Sequence, residues 1–510
     1  MVKRISVPLL LAALQFIVQV AAHGNYGYFR DELYYIACSN HLAFGYVDEP
    51  PLSIALLWLS RWILGDSLQA IRFLPSLAGA GVVLLAAAMA RRMGGGRIAQ
   101  GVAALCVVAA PVLMGNGRNF SMNAFDVFFW ALGGYILVRI LRGDTPRLWL
   151  AFGIVAGFGL LNKYSMGFLC IGLAAGLLLT PQRSHLRTRW FWLGALSAFL
   201  LFLPHIVWEV SNGFPTLEFM RNASQVKNAP ITLSEFVVGQ FREINYVSTP
   251  LWLLGLYFFF FHSQGKQYRP LGWMYFVVFV IMVTGNAKVY YLSPVYPILF
   301  AGGAVFAAAI IPGGLFKWAV AVYTALDLFY AAIALPFALP ILSVEHFIAY
   351  QASLGVAPRA EERSSLGVLP QQYADMFGWE EMVAGIAKTY GTLTPEEQAK
   401  CVLYVRNYGE AGAIDFFGKK YGLPGALCPH NNYWLWGPGE KTGDVAIVLG
   451  GERNLQENLN DLQRVYRSVE PAFMTNCSLC MPYENGRQFF ICRGMTTTFQ
   501  KIWPGERIYI

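Results

Sequence analysis

The chain has 510 residues, of which 56% are hydrophobic and only 13% are charged, and its mean hydropathy is +0.45. Soluble domains carry about 25% charged residues, so this composition excludes an ordinary soluble protein. The net charge of +8 does not by itself indicate nucleic-acid binding, because the basic excess of membrane proteins collects in cytoplasmic loops. We therefore predict a polytopic α-helical membrane protein with no nucleic-acid partner.

Apolar runs predict where the chain crosses the bilayer, since a spanning helix needs about 20 such residues. Eleven stretches qualify as candidate spans: 5–22, 68–90, 98–114, 121–141, 148–162, 164–181, 190–208, 248–262, 271–285, 292–312 and 316–340. Residues 1–22 also resemble a cleavable signal peptide, but we expect them to be retained. The shorter run 52–64, interrupted by Arg61, is typical of an interfacial helix.

The distribution of charge predicts the orientation of these spans. With the N-terminus inside, alternate loops collect 14 basic residues against a single acid, Asp144. The basic residues are Lys3, Arg4, Arg91, Arg92, Arg97, Arg139, Arg142, Arg147, Arg183, Arg187, Arg189, Lys266, Arg269 and Lys317. The positive-inside rule then places the other loops, and the C-terminus, outside the cytoplasm.

Residues 341–510 are more polar and form a second predicted domain. Helix-like stretches (371–389, 394–400, 454–468) alternate with strand-like ones (401–405, 444–450, 488–492). We predict an extracytoplasmic soluble α/β domain here, following a transmembrane domain at 1–340. Cys477 and Cys480 form a CxxC motif, for which a redox-active pair, half of a zinc site and a structural bridge remain open.

The first outer loop carries two acidic pairs, Asp31-Glu32 and Asp48-Glu49, followed by Pro50-Pro51. Paired carboxylates at a membrane face are typical of a general base or a metal site, whereas the alternative is a solvated acidic loop. Seven aromatic residues are interleaved with these acids, which favours a packed, functional loop: Tyr26, Tyr28, Phe29, Tyr34, Tyr35, Phe44 and Tyr46.

Three cations lie on the same predicted face: Arg118, Lys163 and Lys288, the last of them next to Tyr290. A single lysine at a helix end often only extends its ammonium to the interface. Three cationic side chains beside an acidic loop favour binding of the phosphate group of a lipid-linked substrate.

These residues resemble the membrane-embedded family 39 glycosyltransferases of the type C fold, which include protein O-mannosyltransferases and lipid A aminoarabinose transferases. The resemblance rests on Asp31-Glu32, on the acid-x-Pro-Pro-Leu element from Asp48 to Leu52, and on Lys163. It is supported by the polar turn ending at Asp126 and by the segment from Lys288 to Pro297, and it covers about residues 1–340.

The resemblance implies a type C fold of 11–13 spans, in line with the 11 apolar runs, and a polyprenyl-phosphate sugar as donor. It also implies that Asp31 is the catalytic base, assisted by Glu32 and Asp48, and that Lys163 and Lys288 contact the donor phosphate. Arg118 and Tyr290 are further candidates for phosphate binding, and Glu49, Trp208 and Glu209 are candidates for the acceptor or a gating loop. The C-terminal domain shows no obvious match to the folds appended to the mannosyltransferases or aminoarabinose transferases, which leaves the acceptor open.

One carboxylate base and direct displacement predict an inverting transfer to an extracytoplasmic glycolipid, polysaccharide or protein hydroxyl. The loop 209–247 is either a lid over the acceptor or an interfacial helix. The alternative functions are a transporter or flippase of lipid-linked sugars and a non-catalytic envelope assembly protein. No cofactor is implied with certainty, a divalent metal ion is left open, and we expect a multi-pass protein of the inner membrane.

Overall fold

A computed structural model describes residues 6–311, 313–358 and 362–510. Lys3 and Arg4, which the orientation prediction uses, lie outside the described residues. The chain divides into two compact units. The first, called the helical unit below, contains Pro50–Trp208, Pro230–Ser343 and the residues before Tyr26; the second, called the mixed unit, contains Tyr26–Glu49, Glu209–Ala229 and Val344–Ile510.

The helical unit consists of helices and short connections. Its α-helices are Val7–Ala22, Leu52–Leu64, Leu68–Arg92, Arg97–Ala109, Pro111–Gly115, Met122–Arg142, Leu148–Asn162, Ser165–Leu178, Arg189–Ser211, Leu233–Ile244, Thr249–Phe261, Arg269–Thr284, Tyr296–Ile310 and Gly313–Ala338. The last residues of Arg189–Ser211 belong to the mixed unit. Short 3₁₀ helices lie at Pro181–Arg187, Ser263–Tyr268 and Val289–Val295.

Ten of the eleven predicted spans each coincide with one of these helices, although the lengths differ, and the run 98–114 covers two. Five helical stretches in the described part of the chain are long and apolar enough to cross a membrane, and two bent helix pairs raise this number to seven. The five are Leu68–Arg92, Met122–Arg142, Arg189–Ser211, Val289–Ile310 and Gly313–Ala338. The run 98–114 is broken at Pro111, because proline has no N–H with which to continue the helix.

Small residues let the helices of this unit approach closely. A Cβ atom on Gly303 would lie 1.9 Å from the carbonyl oxygen of Leu251, and one on Gly255 would lie 2.2 Å from that of Leu299. Helices Thr249–Phe261 and Tyr296–Ile310 therefore touch backbone to backbone, as is typical of helix packing in membranes.

The predicted interfacial segment is the helix Leu52–Leu64. Trp58 and Trp62 are stacked on its surface with their ring centroids 6.4 Å apart, and 74% of Trp62 is exposed. Exposed tryptophans are enriched at membrane interfaces, so an interfacial position stays the prediction for this helix.

The mixed unit contains a five-stranded sheet with helices around it. The strands are β1 (Cys401–Tyr404), β2 (Ala426–Leu427), β3 (Val445–Leu449), β4 (Tyr466–Met474) and β5 (Gln488–Met495), in the order β2-β1-β3-β5-β4. β1 is parallel to β2 and β3, whereas β5 is antiparallel to β3 and β4. All five residues of β3 are buried, as expected for a central strand.

The helices of the mixed unit come from all three of its segments. They are Arg30–Ser39, Pro215–Asn222, Val344–Ser353, Gln371–Ala374, Trp379–Tyr390, Pro395–Lys400, Tyr408–Phe417, Asn432–Trp436, Leu455–Gln463 and Phe499–Ile502, with a π-helical turn at Ala223–Lys227 and 3₁₀ turns at Gly418–Tyr421, Pro482–Glu484 and Trp503–Gly505. The loop 209–247 is thus largely helical.

Two of the helix-like stretches predicted in this unit are wrong in part. The stretch 371–389 is interrupted, because Gly378 adopts a left-handed φ of +90° and the next helix begins at Trp379. The stretch 454–468 ends as a helix at Gln463, and its last residues open β4. Tyr466 and Val469 favour an extended backbone, and their pairing with β5 outweighs the helical pattern before them.

Candidate functional site

The helix Arg30–Ser39 carries the first acidic pair in its opening turn. Acidic side chains stabilise a helix N-terminus, where backbone N–H groups lack partners within the helix. Glu32 is fully buried, and its Oε2 accepts a hydrogen bond from the backbone N–H of Phe29 at 2.9 Å. Glu32 therefore holds the start of the helix, which leaves Asp31 as the acid that faces outwards.

Asp31 is held by two neighbours through one of its two oxygens. Its Oδ1 accepts hydrogen bonds from the Tyr408 hydroxyl at 3.0 Å and from Arg30 Nε at 3.4 Å. Within the part of the chain that the structure describes, Oδ2 has no hydrogen-bond partner, and 35% of the side chain is exposed. The carboxylate is thus oriented by a phenol and a guanidinium while one oxygen remains available for a proton.

Arg30 joins this carboxylate to a second one. Its Nη1 donates to the Tyr483 hydroxyl at 2.6 Å, and its Nη2 lies 3.8 Å from Asp375 Oδ2. Burial raises the pKa of Asp375 to about 6 despite the opposing charge of Arg30. Arg30, Asp31, Asp48, Asp375 and Tyr408 are called the acidic-loop cluster below.

Asp48 is half-buried, and its Oδ1 accepts a hydrogen bond from the Tyr34 hydroxyl at 2.8 Å. Burial raises the pKa of Asp48 to about 6, while that hydrogen bond and the charge of Lys227 oppose the shift. The Lys227 ammonium also lies 5.8 Å from the ring centroid of Tyr408. Glu49 is buried beside Tyr35, which gives it a packed position in the loop.

Lys163 lies in the helical unit at the break between Leu148–Asn162 and Ser165–Leu178. Its Nζ donates to Asn123 Oδ1 at 2.7 Å and lies 3.7 Å from Asp126 Oδ2. The same ammonium lies 4.5 Å from the ring centroid of Tyr291 and 5.9 Å from that of Tyr290. Only 13% of the side chain is exposed, so Lys163 is an internal cation within a polar cluster.

The residues Asn123, Asp126, Lys163, Tyr290 and Tyr291 are called the Lys163 cluster below. They come from three separate stretches, all of which the sequence analysis singled out. Asp126 additionally accepts a hydrogen bond from the Ser165 hydroxyl, whose oxygen accepts one from Trp130 Nε1 at 3.3 Å. The carboxylate is therefore fixed from two sides and positions the ammonium.

The other two predicted cations have different surroundings. Lys288 is half-buried, and its carbonyl oxygen accepts the backbone N–H of Tyr291 at 3.1 Å, so it begins the turn that carries Tyr290 and Tyr291. Arg118 donates from Nη1 to the carbonyl oxygen of Ala338 at 3.0 Å. This contact holds Arg118 against the C-terminal end of the helix Gly313–Ala338.

Trp208 and Glu209 are adjacent but fall in different units. The ring of Trp208 is stacked on that of His205 with centroids 6.1 Å apart. Glu209 is buried and accepts a hydrogen bond from the Thr216 hydroxyl, which fixes the turn before the helix Pro215–Asn222.

Four residues in the surroundings of Asp31 were not predicted: Arg30, Lys227, Asp375 and Tyr408. Arg30 directly precedes the acidic pair, so the tripeptide Arg-Asp-Glu was a usable signal. Asp375 and Tyr408 lie more than 300 residues further along the chain and have no local motif. No group of three or more His, Cys, Asp or Glu side chains able to hold a metal ion is present among the described residues.

Comparison with solved structures identifies the architecture. The structure of ArnT from Cupriavidus metallidurans bound to undecaprenyl phosphate superimposes with a TM-score of 0.61 at 14% sequence identity, covering 94% of this chain and 97% of that one. The chain has the type C glycosyltransferase fold. Coverage of this extent includes most of residues 341–510.

Sequence comparisons agree with this fold. Residues 48–208 match the family described as dolichyl-phosphate-mannose-protein mannosyltransferase. A lipid A galacturonosyltransferase of Rhizobium johnstonii is 23% identical over 269 residues, which are 51% of this chain and 56% of the relative. A lipopolysaccharide core galacturonosyltransferase of the same organism is 29% identical over 209 residues, 40% of this chain and 42% of the relative.

The chain thus spans about half the length of the curated relatives it matches. The predicted resemblance to membrane-embedded family 39 glycosyltransferases is confirmed. The helical, membrane-type segments and the small sheet region are confirmed as well.

Proposed function

We propose that this type C protein is an inverting glycosyltransferase, which moves a sugar from a polyprenyl-phosphate donor to a hydroxyl group of an extracytoplasmic envelope glycolipid. The observation that carries the proposal is Asp31, a carboxylate oriented through Oδ1 by Tyr408 and Arg30 with Oδ2 accessible. That arrangement suits a general base.

In the proposed reaction Asp31 takes the proton of the acceptor hydroxyl as its oxygen attacks the anomeric carbon. The new C–O bond forms while the bond from the anomeric carbon to the phosphate oxygen breaks. The sugar passes through a state with oxocarbenium character, as in other glycosyl transfers. A single displacement of this kind inverts the anomeric centre.

The leaving group is polyprenyl phosphate, which gains negative charge as the bond breaks. We assign its stabilisation to Lys163, with Lys288 and Tyr290 as further contacts. An ammonium has three N–H donors, and among the described residues Lys163 makes one hydrogen bond, to Asn123, and an ion pair with Asp126, beside the rings of Tyr290 and Tyr291. A preorganised cation of this kind stabilises charge that develops in the transition state.

The sugar we propose is a hexuronic acid. The two curated relatives are galacturonosyltransferases, and the acidic-loop cluster of this chain is accompanied by a cation, Lys227. A uronic acid carries a carboxylate that such an ammonium can bind. Lys227→Met is expected to weaken use of a uronosyl donor more than use of the matching neutral hexosyl donor.

The acceptor surface we propose is a cavity of about 430 Å³ in the mixed unit, lined by both Lys419 and Lys441. His41 and Trp436 are stacked there with ring centroids 4.3 Å apart, which offers an aromatic platform for a sugar. The cavity lies at the far end of the helix Arg30–Ser39, about 9–15 Å from Asp31 along the helix axis. Its lysines suit an anionic acceptor such as a lipopolysaccharide precursor.

The test is transfer by the purified protein in nanodiscs, supplied with polyprenyl-phosphate galacturonic acid and lipid A or core acceptors. We expect a mass gain of one uronosyl residue on the acceptor. Asp31→Asn is expected to lower turnover by about 10²–10⁴-fold, as is typical for loss of a general base. Glu380→Gln is the matched control, because Glu380 is an exposed carboxylate that pairs with Lys420.

Parental turnover by a well-folded Asp31→Asn variant would refute the assignment of the base. Movement of the donor across the bilayer without its consumption would instead favour a transporter of lipid-linked sugars.

A further inference from the structure

The CxxC motif of the mixed unit has no part in the proposed transfer. Cys477 and Cys480 follow β4, and both are free thiols in this structure. The backbone N–H of Cys480 donates to Cys477 Sγ at 3.2 Å, and the Cys480 thiol donates to the carbonyl oxygen of Cys477 at 3.0 Å. Cys477 is partly exposed, whereas only 4% of Cys480 is exposed.

The sulfur of Cys477 lies at the N-terminus of a helix of 12 residues, Trp379–Tyr390. Gly378 caps that helix in a left-handed conformation, and a Cβ atom there would lie 3.1 Å from Cys477 Sγ. The partial positive charge of a helix N-terminus stabilises a thiolate. Glycine is required at this position by its φ of +90° and by the closeness of the sulfur.

The two thiols are made unequal by this geometry. A hydrogen bond from the Cys480 side chain lowers the pKa of Cys477 to about 7. The same contact, together with burial, raises the pKa of Cys480. A partly exposed, acidic thiol followed by a buried, less acidic one is the arrangement of an attacking and a resolving cysteine.

A cavity of about 220 Å³ opens beside the pair. Phe377, Trp379 and Phe473 line it together with both cysteines. Its aromatic walls suit the apolar part of a disulfide-bearing molecule whose sulfur reaches Cys477.

We propose that Cys477 and Cys480 form a thiol–disulfide exchange site, independent of glycosyl transfer, whose substrate is a disulfide of a small thiol compound or of a peptide. The Cys477 thiolate attacks one sulfur of that disulfide, and the other sulfur leaves as a thiolate and takes a proton from water. Cys480 then loses its proton and attacks Cys477 Sγ, which releases the second sulfur. Two electrons pass from the cysteine pair to the substrate, which becomes two thiols.

The test uses the full-length protein in detergent, reduced and then equilibrated with mixtures of reduced and oxidised glutathione. Alkylation and mass spectrometry of the 477–480 peptide give its oxidation state. We expect both thiols to disappear together in one reversible transition. Cys480→Ser, which lacks the resolving thiol, is expected to hold glutathione on Cys477 at least about tenfold more than Cys477→Ser holds it on Cys480.

Cys428→Ser is the matched control, because Cys428 is a buried cysteine of the same unit outside the motif, and it should leave the transition unchanged. A pair that glutathione does not reduce once it is oxidised, or equal trapping by both single variants, would overturn the proposal. So would stoichiometric zinc binding that protects both thiols. The wild-type transition remains decisive if a variant fails to fold.

A second experiment distinguishes the two substrate classes, a disulfide of a small thiol compound and a disulfide of a peptide. Oxidised glutathione is compared with a short peptide in which an apolar residue flanks each cysteine of a disulfide. Faster oxidation of Cys477 by the peptide assigns a polypeptide substrate, and equal rates assign a small thiol compound. If neither oxidises the pair, the proposal is wrong, whatever the transferase assay shows.

Discussion

Tyr408 connects Asp31, the proposed base, to the C-terminal segment of the mixed unit. Its hydroxyl donates to Asp31 Oδ1, and its ring lies 4.6 Å from that of Tyr34. Tyr408→Phe keeps the ring and removes only the hydrogen bond. A hydrogen bond to a charged group contributes about 1.5–3 kcal/mol, so we expect kcat to fall roughly 10- to 100-fold with little change in the donor KM.

Steady-state kinetics of the Tyr408→Phe variant check this expectation, with Tyr421→Phe as the control because Tyr421 is an exposed tyrosine of the same unit. An unchanged kcat would mean that Asp31 is oriented without the phenol. A change confined to the melting temperature would assign Tyr408 to folding alone.

Asp48 makes the stability of the mixed unit depend on pH. Burial raises its pKa to about 6, against about 3.9 for an unperturbed aspartate. Between these values the folded state binds more protons than the unfolded state, so the free energy of unfolding decreases as pH rises from about 4 to 6. The protonated Asp48 carboxyl therefore contributes its full stabilisation below about pH 4, and this contribution is lost above about pH 6.

Asp48→Asn keeps an oxygen that accepts the Tyr34 hydrogen bond and removes the charge. We therefore expect the variant to unfold at a higher temperature than the parent at pH 7.5, and the difference to shrink at pH 4.5. Thermal unfolding at both values measures it. Asp375, whose pKa is also raised to about 6, is present in both proteins and cancels in the comparison. If the variant and the parent differ in unfolding temperature by the same amount at both pH values, the pKa of Asp48 is not raised.

At the scale of elements, the break between Leu148–Asn162 and Ser165–Leu178 places Lys163. Its backbone is extended, with φ −158° and ψ 137°, so Lys163 belongs to neither helix. Lys163→Met removes the proposed phosphate contact but also leaves Asp126 without its cation. An unpaired buried charge is strongly destabilising, which would confuse a loss of activity with a loss of folding.

The double variant Lys163→Met/Asp126→Asn separates these effects. We expect it to recover the melting temperature lost in Lys163→Met while kcat/KM for the donor stays at least about tenfold below the parent. If the melting temperature and kcat/KM both recover, Lys163 has only a structural role.

Lys288→Met tests the neighbouring turn in the same assay. If Lys288 contacts the donor phosphate, kcat/KM for the donor should fall by about tenfold or more. Lys317→Met, at an exposed lysine of the helical unit, is the control and should leave the kinetics unchanged. Parental kinetics for Lys288→Met would restrict the phosphate contacts to Lys163.

At the scale of the whole molecule, the charge of the loops predicts that both the 26–49 segment and the C-terminal residues lie outside the cytoplasm. Single cysteines at the exposed positions Asn40, Lys388 and Ser184, in a background without native cysteines, test this orientation. An impermeant maleimide added to intact spheroplasts should label Asn40→Cys and Lys388→Cys but not Ser184→Cys. Protection of either outer position would reverse the topology.

Much of the helical unit was predictable because membrane spans are continuous apolar runs. Lys163 and Asp126 were conspicuous for the same reason, since a charged residue within or beside an apolar run is rare, whereas Tyr290 was singled out as a neighbour of Lys288. The surroundings of Asp31 were not predictable, because Tyr408 and Asp375 lie in ordinary soluble sequence and only tertiary packing brings them to the loop. β4 was missed because its sequence contains Pro471 and has no regular alternation of apolar and polar residues.

The acidic loop belongs to the same compact unit as the C-terminal residues, and this restricts how relatives of the protein can be recombined. A chimera joined at residue 343 would exchange Tyr408 and Asp375 while leaving Asp31 and Asp48 with their former host. In such a chimera, the residues on each side of the junction would contact side chains from a different protein. To exchange acceptor preference and keep activity, residues 26–49 and 209–229 should therefore be transferred together with the C-terminal segment. The three segments then come from one parent protein.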